Sequence, residues 1–178
     1  MIHYLTLKGD IKVKVRPVDA SDGTRLQQGL KALSPTSRYQ RFFFPKHCFS
    51  QSEIEYLTHS NDAHLTLGMI SLKEGQESEA LAVARYARHK HPSHVAEMAI
   101  VVADDWHRKG VGKVMIRILA QASLEAGITH WQAFYLSHNT GIKKLLLTCS
   151  SKESEKSEGQ GVSMGIYKLK ADIGQSSA

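Results

Sequence analysis

The chain has 178 residues, 42% of them hydrophobic and 22% charged, the balance of one soluble globular domain with a sizeable core. Its formal net charge of +6 suits an anionic partner, either a phosphate-bearing cofactor or a nucleic acid. No apolar run approaches the ~20 residues of a membrane span, and the start MIHYLTLKGDIKVKV lacks a signal peptide's pattern, so a cytoplasmic protein with no membrane partner is expected.

Lys and Arg are spread from Lys8 to Lys170 rather than gathered on one helix or interleaved with aromatics, which argues against a nucleic-acid reader. The two cysteines, Cys48 and Cys149, have no CxxC spacing and give neither a zinc site nor a disulfide framework.

In chain order, IKVKVRPV at 11–18 alternates apolar and basic residues and predicts the first long strand, half exposed. Leu26, Leu30 and Leu33 recur at helical spacing before Pro35, predicting an amphipathic helix. Ser34 and Pro35 then read as the N-cap and first residue of a short helix running into RYQRFFF. Ser50 and Glu53 have capping-box spacing and place a third helix at about 51–59. The pattern next switches to strands at 64–72 and 79–88 around the turn KEGQES, and to another at 95–103 after the loop HKHPSH.

From Val111 the apolar positions 111, 114, 115, 118, 119 and 122 form a helical stripe closed by Gly127. A strand at 129–136, a short helix from near Asn139 and a final strand VSMGIYKLKA follow. The polar, low-complexity stretch 150–161 is expected to be a mobile loop. The tally is a mixed α/β sheet in a single domain, 1–178.

Between the strand at 95–103 and the helix from Val111 lies DDWHRKGVGK, a strand-loop-helix unit whose helix start would present free N–H groups and a positive dipole to an anion. Gly110 and Gly112 would let a pyrophosphate approach the backbone, and Arg108, Lys109 and Lys113 add charge. The turn is not a Walker A loop, since no Ser or Thr follows Lys113. It is not a dinucleotide fingerprint either, since Met115 stands where the third glycine belongs. Taken alone, the two glycines fit a tight structural turn as well as a phosphate cradle.

The order of elements together with DDWHRKGVG resembles the GNAT superfamily of acetyltransferases, whose acetyl-CoA loop reads (Gln or Arg)-x-x-Gly-x-(Gly or Ala). His107 stands where that family usually has Gln or Arg. The segments RPVDASDGTRLQQGLKALSPTSRYQRFFFP, FSQSEIEYLT, AEMAIVVADDWHRKGVG and LSHNTGIKKLL extend the resemblance over about 14–147. There the chain looks like the catalytic domain of Pat-type bacterial protein lysine acetyltransferases.

This resemblance implies a GNAT-like, mostly antiparallel sheet flanked by helices, with the cofactor cleft between two splayed strands. It implies acetyl-CoA as co-substrate and an amine acceptor, a protein lysine foremost. Pyrophosphate would lie on His107, Arg108, Lys109, Gly110, Val111, Gly112 and Lys113, and pantetheine along Ile100, Val101 and Val102, with Asn139 touching the cofactor. Asn139 is equally a helix N-cap.

Acetyl transfer needs an acceptor for the amine proton. Glu97 in AEMAIVV matches the glutamate proposed for that role in Pat-like domains, against the plainer reading of a solvated strand carboxylate. Many members place a tyrosine in the helix after the Asn to protonate the thiolate, but NTGIKKLLLTCS has none. TCSSKES also replaces the usual Gly-Phe strand. Ser137, Tyr135 or water remain as proton donors. His89, His91 and His94 read as solvated loop residues rather than metal ligands, because no cysteine or carboxylate is placed to complete a set. Phe42, Phe43 and Phe44 suit either core packing or the wall of a substrate groove.

Overall fold

The computed structural model describes residues 1–172; the rest of the expected domain span, 173–178, lies outside them. In chain order come strands β1 (His3–Leu7) and β2 (Ile11–Pro17), then helices α1 (Gly23–Ala32), α2 (Pro35–Phe42) and α3 (Gln51–Thr58). Strands β3 (His64–Lys73), β4 (Gln76–Arg88) and β5 (Val95–Val102) follow, with helix α4 (Val111–Glu125) and strand β6 (His130–Leu136) after them. Helix α5 (Thr140–Leu146) and strands β7 (Ser150–Gly159) and β8 (Val162–Leu169) complete the chain. All eight strands form one sheet in the order β1-β2-β3-β4-β5-β6-β8-β7. Every neighbouring pair is antiparallel except β5 with β6.

Alternation along the strands sorts the sheet into two faces. Val13, Val15, Leu67, Met69, Ala84, Ala96 and Met98 are buried in one core with Val111, Met115, Ile116, Leu119 and Ala120 of α4. The opposite face is covered by α1, α2 and α3. The caps there are as the spacing predicts: Ser34 Oγ accepts from the Ser37 N–H, and Ser50 with Glu53 forms a reciprocal capping box.

The basic residues of β2 are not simply solvated. Arg16 donates to both oxygens of Asp22, at 2.6 and 2.9 Å, and to both oxygens of Glu77 at 3.0 Å, while Lys14 reaches Glu77 at 2.9 Å. Arg25 of α1 joins the same two carboxylates. This network ties the start of the first helical layer to β2 and β4. Hydrogen bonds from Arg16 and then Lys14, working against partial burial, bring the Glu77 pKa from 4.5 down to about 2. A carboxylate whose folded pKa is depressed stabilises the fold above its unfolded pKa, and that contribution fades as pH falls from about 4.5 toward 2.

Glu77→Gln should therefore lower stability at neutral pH by on the order of 1–2 kcal/mol, the partly open site screening the charges. It should also flatten the acid side of the stability curve. Urea titrations between pH 2 and 7 read both effects.

Two segments depart from expectation. Residues 150–161 are not a loop: 150–159 form β7, paired along its length with β8. The strand lies at the sheet's edge with nearly every side chain in solvent, so it needs no apolar face and carries no hydrophobic signal. It is held by main-chain pairing, by ion pairs from Lys143 and Lys152 to Glu155, and by a tight turn with positive φ at Gln160 (50°) and Gly161 (74°). At the opposite edge, β1 adds a strand where the sequence predicted none, its middle residues exposed.

Candidate active site

Beside β6, β5 is paired only over Val95 to Met98, against His130 to Ala133. From Ala99 to Val102 it keeps its partner β4 but loses β6, so one edge of its backbone is left open. A groove of about 940 Å³ passes through this parting. Ser37, Gln40, Arg41 and Phe43 of the α2 region line it, as do Gly110, Gly112, Lys113, Asn139 and Leu145 of α4, α5 and their approaches.

At the α4 end, Gly110 is the N-cap with φ 85° and no side chain caps the helix. The N–H groups of Val111, Gly112 and Lys113 have no protein acceptor among the described residues, whereas Val114 bonds back to the Gly110 carbonyl. A helix start left open in this way receives anions through its N–H groups and dipole.

The two glycines do different things. A Cβ on Gly110 would project into open space, and its positive φ is one that L side chains rarely adopt. A Cβ on Gly112 would sit 3.4 Å from Leu145 Cδ2 and 3.6 Å from Val102 Cγ2, so this glycine brings α4 close to α5 and β5.

Most of the expected residues meet here. Glu97, Ile100, Val101, Val102, His107, Arg108, Gly110, Gly112, Lys113 and Asn139 all line the groove. Val111 is fully buried and offers only its N–H, and Lys109 lies over the Trp106 ring, 4.9 Å from its centroid, rather than in the groove. His107 Nε2 lies 2.9 Å from the Val102 carbonyl, which can only accept, so this nitrogen carries the proton and the ring ties the loop to the strand. Asn139 Oδ1 accepts from the Ile142 N–H at 3.2 Å and caps α5 while lining the groove.

Glu97 alternates onto the face covered by α1–α3, and its carboxylate accepts from Arg85 Nη2 at 3.1 Å. Arg85 stands opposite Ala99 in the β4–β5 register, which sequence spacing does not reveal. Asp104 escaped notice for the same reason. It accepts from the Ser34 N–H at 2.9 Å and from the Ser34 and Ser37 hydroxyls at 2.7 Å, tying the start of α2 to the loop before α4. Burial pushes the Asp104 pKa up, and these hydrogen bonds outweigh it, leaving the group below its ordinary value.

Of the residues considered for protonating a thiolate, Tyr135 is buried with its hydroxyl 2.8 Å from that of Tyr167, and burial drives its pKa far up. Ser137 Oγ is engaged with Ser163 Oγ at 2.7 Å. Phe42 packs edge-on against Phe49, and Phe43 lines the groove with φ 62°, so the aromatic run serves both packing and groove wall. Cys149 is buried, its pKa pushed up to about 11 by burial, and Cys48 is exposed and unpaired. Among the described residues no three His, Cys, Asp or Glu side chains cluster as metal ligands, and no helix is long and apolar enough to cross a membrane.

Known proteins share this fold. The structure aligns with the GNAT domain of S. lividans PAT at a TM-score of 0.80 and 25% identity, covering 94% of this chain and 97% of that one. The spermidine N-acetyltransferase from Vibrio cholerae, solved with CoA and spermine, shares the fold at a TM-score of 0.68 and 15% identity, over 90% of this chain and 97% of its own. In sequence, the Acetyltransferase Pat of Mycolicibacterium smegmatis is 26% identical over 132 residues, 74% of this chain and 39% of that protein. The chain thus spans about two fifths of that relative's length. The acetyltransferase (GNAT) family model matches residues 33–146. With the parted strands and open helix start in place, that match over more than half its length shows that the chain belongs to the acetyltransferase (GNAT) family.

Proposed function

We propose that the protein transfers an acetyl group from acetyl-CoA directly to an amine, a protein lysine foremost. The observation that carries this reading is the open edge of β5 at 99–102, running from Glu97 at one end of the groove toward the uncapped start of α4 at the other. The pyrophosphate rests on the N–H groups of 111–113, with Arg108 and Lys113 beside it and His107 holding the loop to β5. Pantetheine lies along Ile100 to Val102, adding the hydrogen bonds that β6 does not make there, and Asn139 flanks it. The resemblance of segments such as AEMAIVVADDWHRKGVG and LSHNTGIKKLL to Pat-type protein lysine acetyltransferases favours lysine as acceptor, and a small amine is the competing acceptor.

In the reaction, the neutral amine attacks the thioester carbonyl carbon. The C–N bond forms, the C–S bond breaks, and the amine's proton passes to Glu97, directly or through water. The thiolate takes its proton from water, since the Tyr135 and Ser137 hydroxyls are already engaged. Its ordinary acidity makes it a tolerable leaving group without a dedicated acid.

Incubation with acetyl-CoA and a panel of lysine peptides and small amines should release one free thiol per acetylated product, identified by mass spectrometry. Acetyl-CoA binding without product on any amine would overturn the reading in favour of a non-catalytic acyl-CoA-binding module.

A further inference from the structure

Arg41 differs from the partnered arginines packed on the same face of the sheet. Arg16 and Arg25 are saturated with carboxylates, and Arg85 holds Glu97. Arg41, in the last turn of α2, has no hydrogen-bond or ion-pair partner among the described residues; its guanidinium carbon lies 4.8 Å from the Phe42 ring centroid. It lines the groove together with Glu97 and also borders the apolar cavity under α1, which Ala99 and Val101 line as well. Burial, and then the charge of Arg85, bring its pKa down to about 10, with Glu97 only partly opposing them.

Two guanidinium groups therefore face one carboxylate, and Arg85 takes that carboxylate at 3.1 Å. The site keeps an uncompensated positive charge in a half-buried place, where a lone charge is unfavourable unless something pairs it. A planar guanidinium pairs best with a carboxylate, through two parallel hydrogen bonds. Two residues on, Phe43 caps the end of α2 with a left-handed backbone, φ 62°, uncommon for an aromatic, and thereby fixes the end of the helix beside the groove.

We propose that Arg41 receives a carboxylate carried by the acceptor, so that the preferred substrate is an amine with an acid group close beside it. This rests on the reading of Glu97 as the acceptor end of the groove. Either a lysine flanked by aspartate or glutamate, or a free amino acid, presents that chemistry.

The test compares kcat/KM for peptides whose lysine is flanked by Asp with the same peptides carrying Asn, and for free amino acids with their amides. Wild type should favour the acid member of at least one series by about tenfold or more, the order expected for a charge-assisted bidentate pair. The series that shows the preference identifies the source. In Arg41→Gln the ratio should fall to near one with acetyl-CoA affinity kept, and Arg41→Lys should retain part of it. Equal rates for acid and amide in wild type, or a preference that survives Arg41→Gln, would overturn the proposal. So would loss of acetyl-CoA affinity in a folded Arg41→Gln, which would move this arginine to the cofactor. Should no amine be acetylated, the function proposed above fails instead. Anisotropy of labelled Asp- and Asn-flanked acetyllysine peptides on the CoA-bound protein then decides the Arg41 proposal by itself, tighter binding of the acidic peptide supporting it and equal binding overturning it.

Discussion

Glu97→Gln should lower turnover by about 100-fold or more at neutral pH and leave acetyl-CoA affinity unchanged, the scale expected for loss of a general base. The substitution keeps the side chain's shape, and the amide oxygen can still accept from Arg85 Nη2, so the β4–β5 contact survives. What disappears is the ability to take a proton. The deficit should shrink as pH rises, because a growing share of the acceptor amine is then neutral before it binds. A pH–rate profile of both proteins with one identified acceptor, beside a calorimetric titration with acetyl-CoA, separates this from damage to the fold, which would lower affinity and turnover together. Equal rates at every pH would make Glu97 an ordinary strand carboxylate.

Gly110→Val should weaken acetyl-CoA binding by about 10- to 100-fold, and the cause can be divided. At φ 85° a β-branched residue is strained by about 1–3 kcal/mol, and its side chain would occupy the open space above the uncapped helix start. Asparagine tolerates a left-handed backbone better than valine does, so Gly110→Asn relieves the strain and leaves the obstruction. Gly112→Ala places a methyl at ordinary contact distance from Leu145, 3.4 Å, and should change affinity little. Calorimetry on the three folded variants orders them Val, Asn, Ala from weakest to tightest. An unchanged affinity for Gly110→Val would reduce the turn to a structural device.

The legible parts of this molecule were those written in local chemistry. Ser34–Pro35 and Ser50 with Glu53 mark helix starts because a cap is made by residues three apart, and the stripe from Val111 shows because one helix face packs on one sheet face. The glycine turn could be located, but its division of labour could not. Only the backbone angle at Gly110 and the nearness of Leu145 to Gly112 separate conformation from packing. Arg85, Arg41 and Asp104 were out of reach because their significance arises between elements: a strand register, the docking of α2, and a loop reaching back 70 residues to Ser34. β7 was hidden for another reason. A strand wet on both faces and paired on one edge needs no apolar residues, and its Ser, Lys and Glu look like a linker.

The parting between β5 and β6 is also a seam. Four residue pairs join the five-stranded half, β1 to β5, to the three-stranded half, β6, β8 and β7, supplemented by the packing of α2, α4 and α5 across the break and by the His94 carbonyl, which accepts from the Thr129 and His130 N–H groups. Within each half the strands are paired along most of their length, by hairpins at β1–β2, β3–β4, β4–β5 and β7–β8 and by longer-range antiparallel pairs at β2–β3 and β6–β8, so the short parallel seam is where the sheet opens at lowest free energy without either half unravelling. A molecule lying along 99–102 with its phosphates on α4 would stitch that seam from within. Substrate occupancy and the mechanical integrity of the sheet are then one property, and amide exchange along β5 and β6 becomes a gauge of how full the groove is.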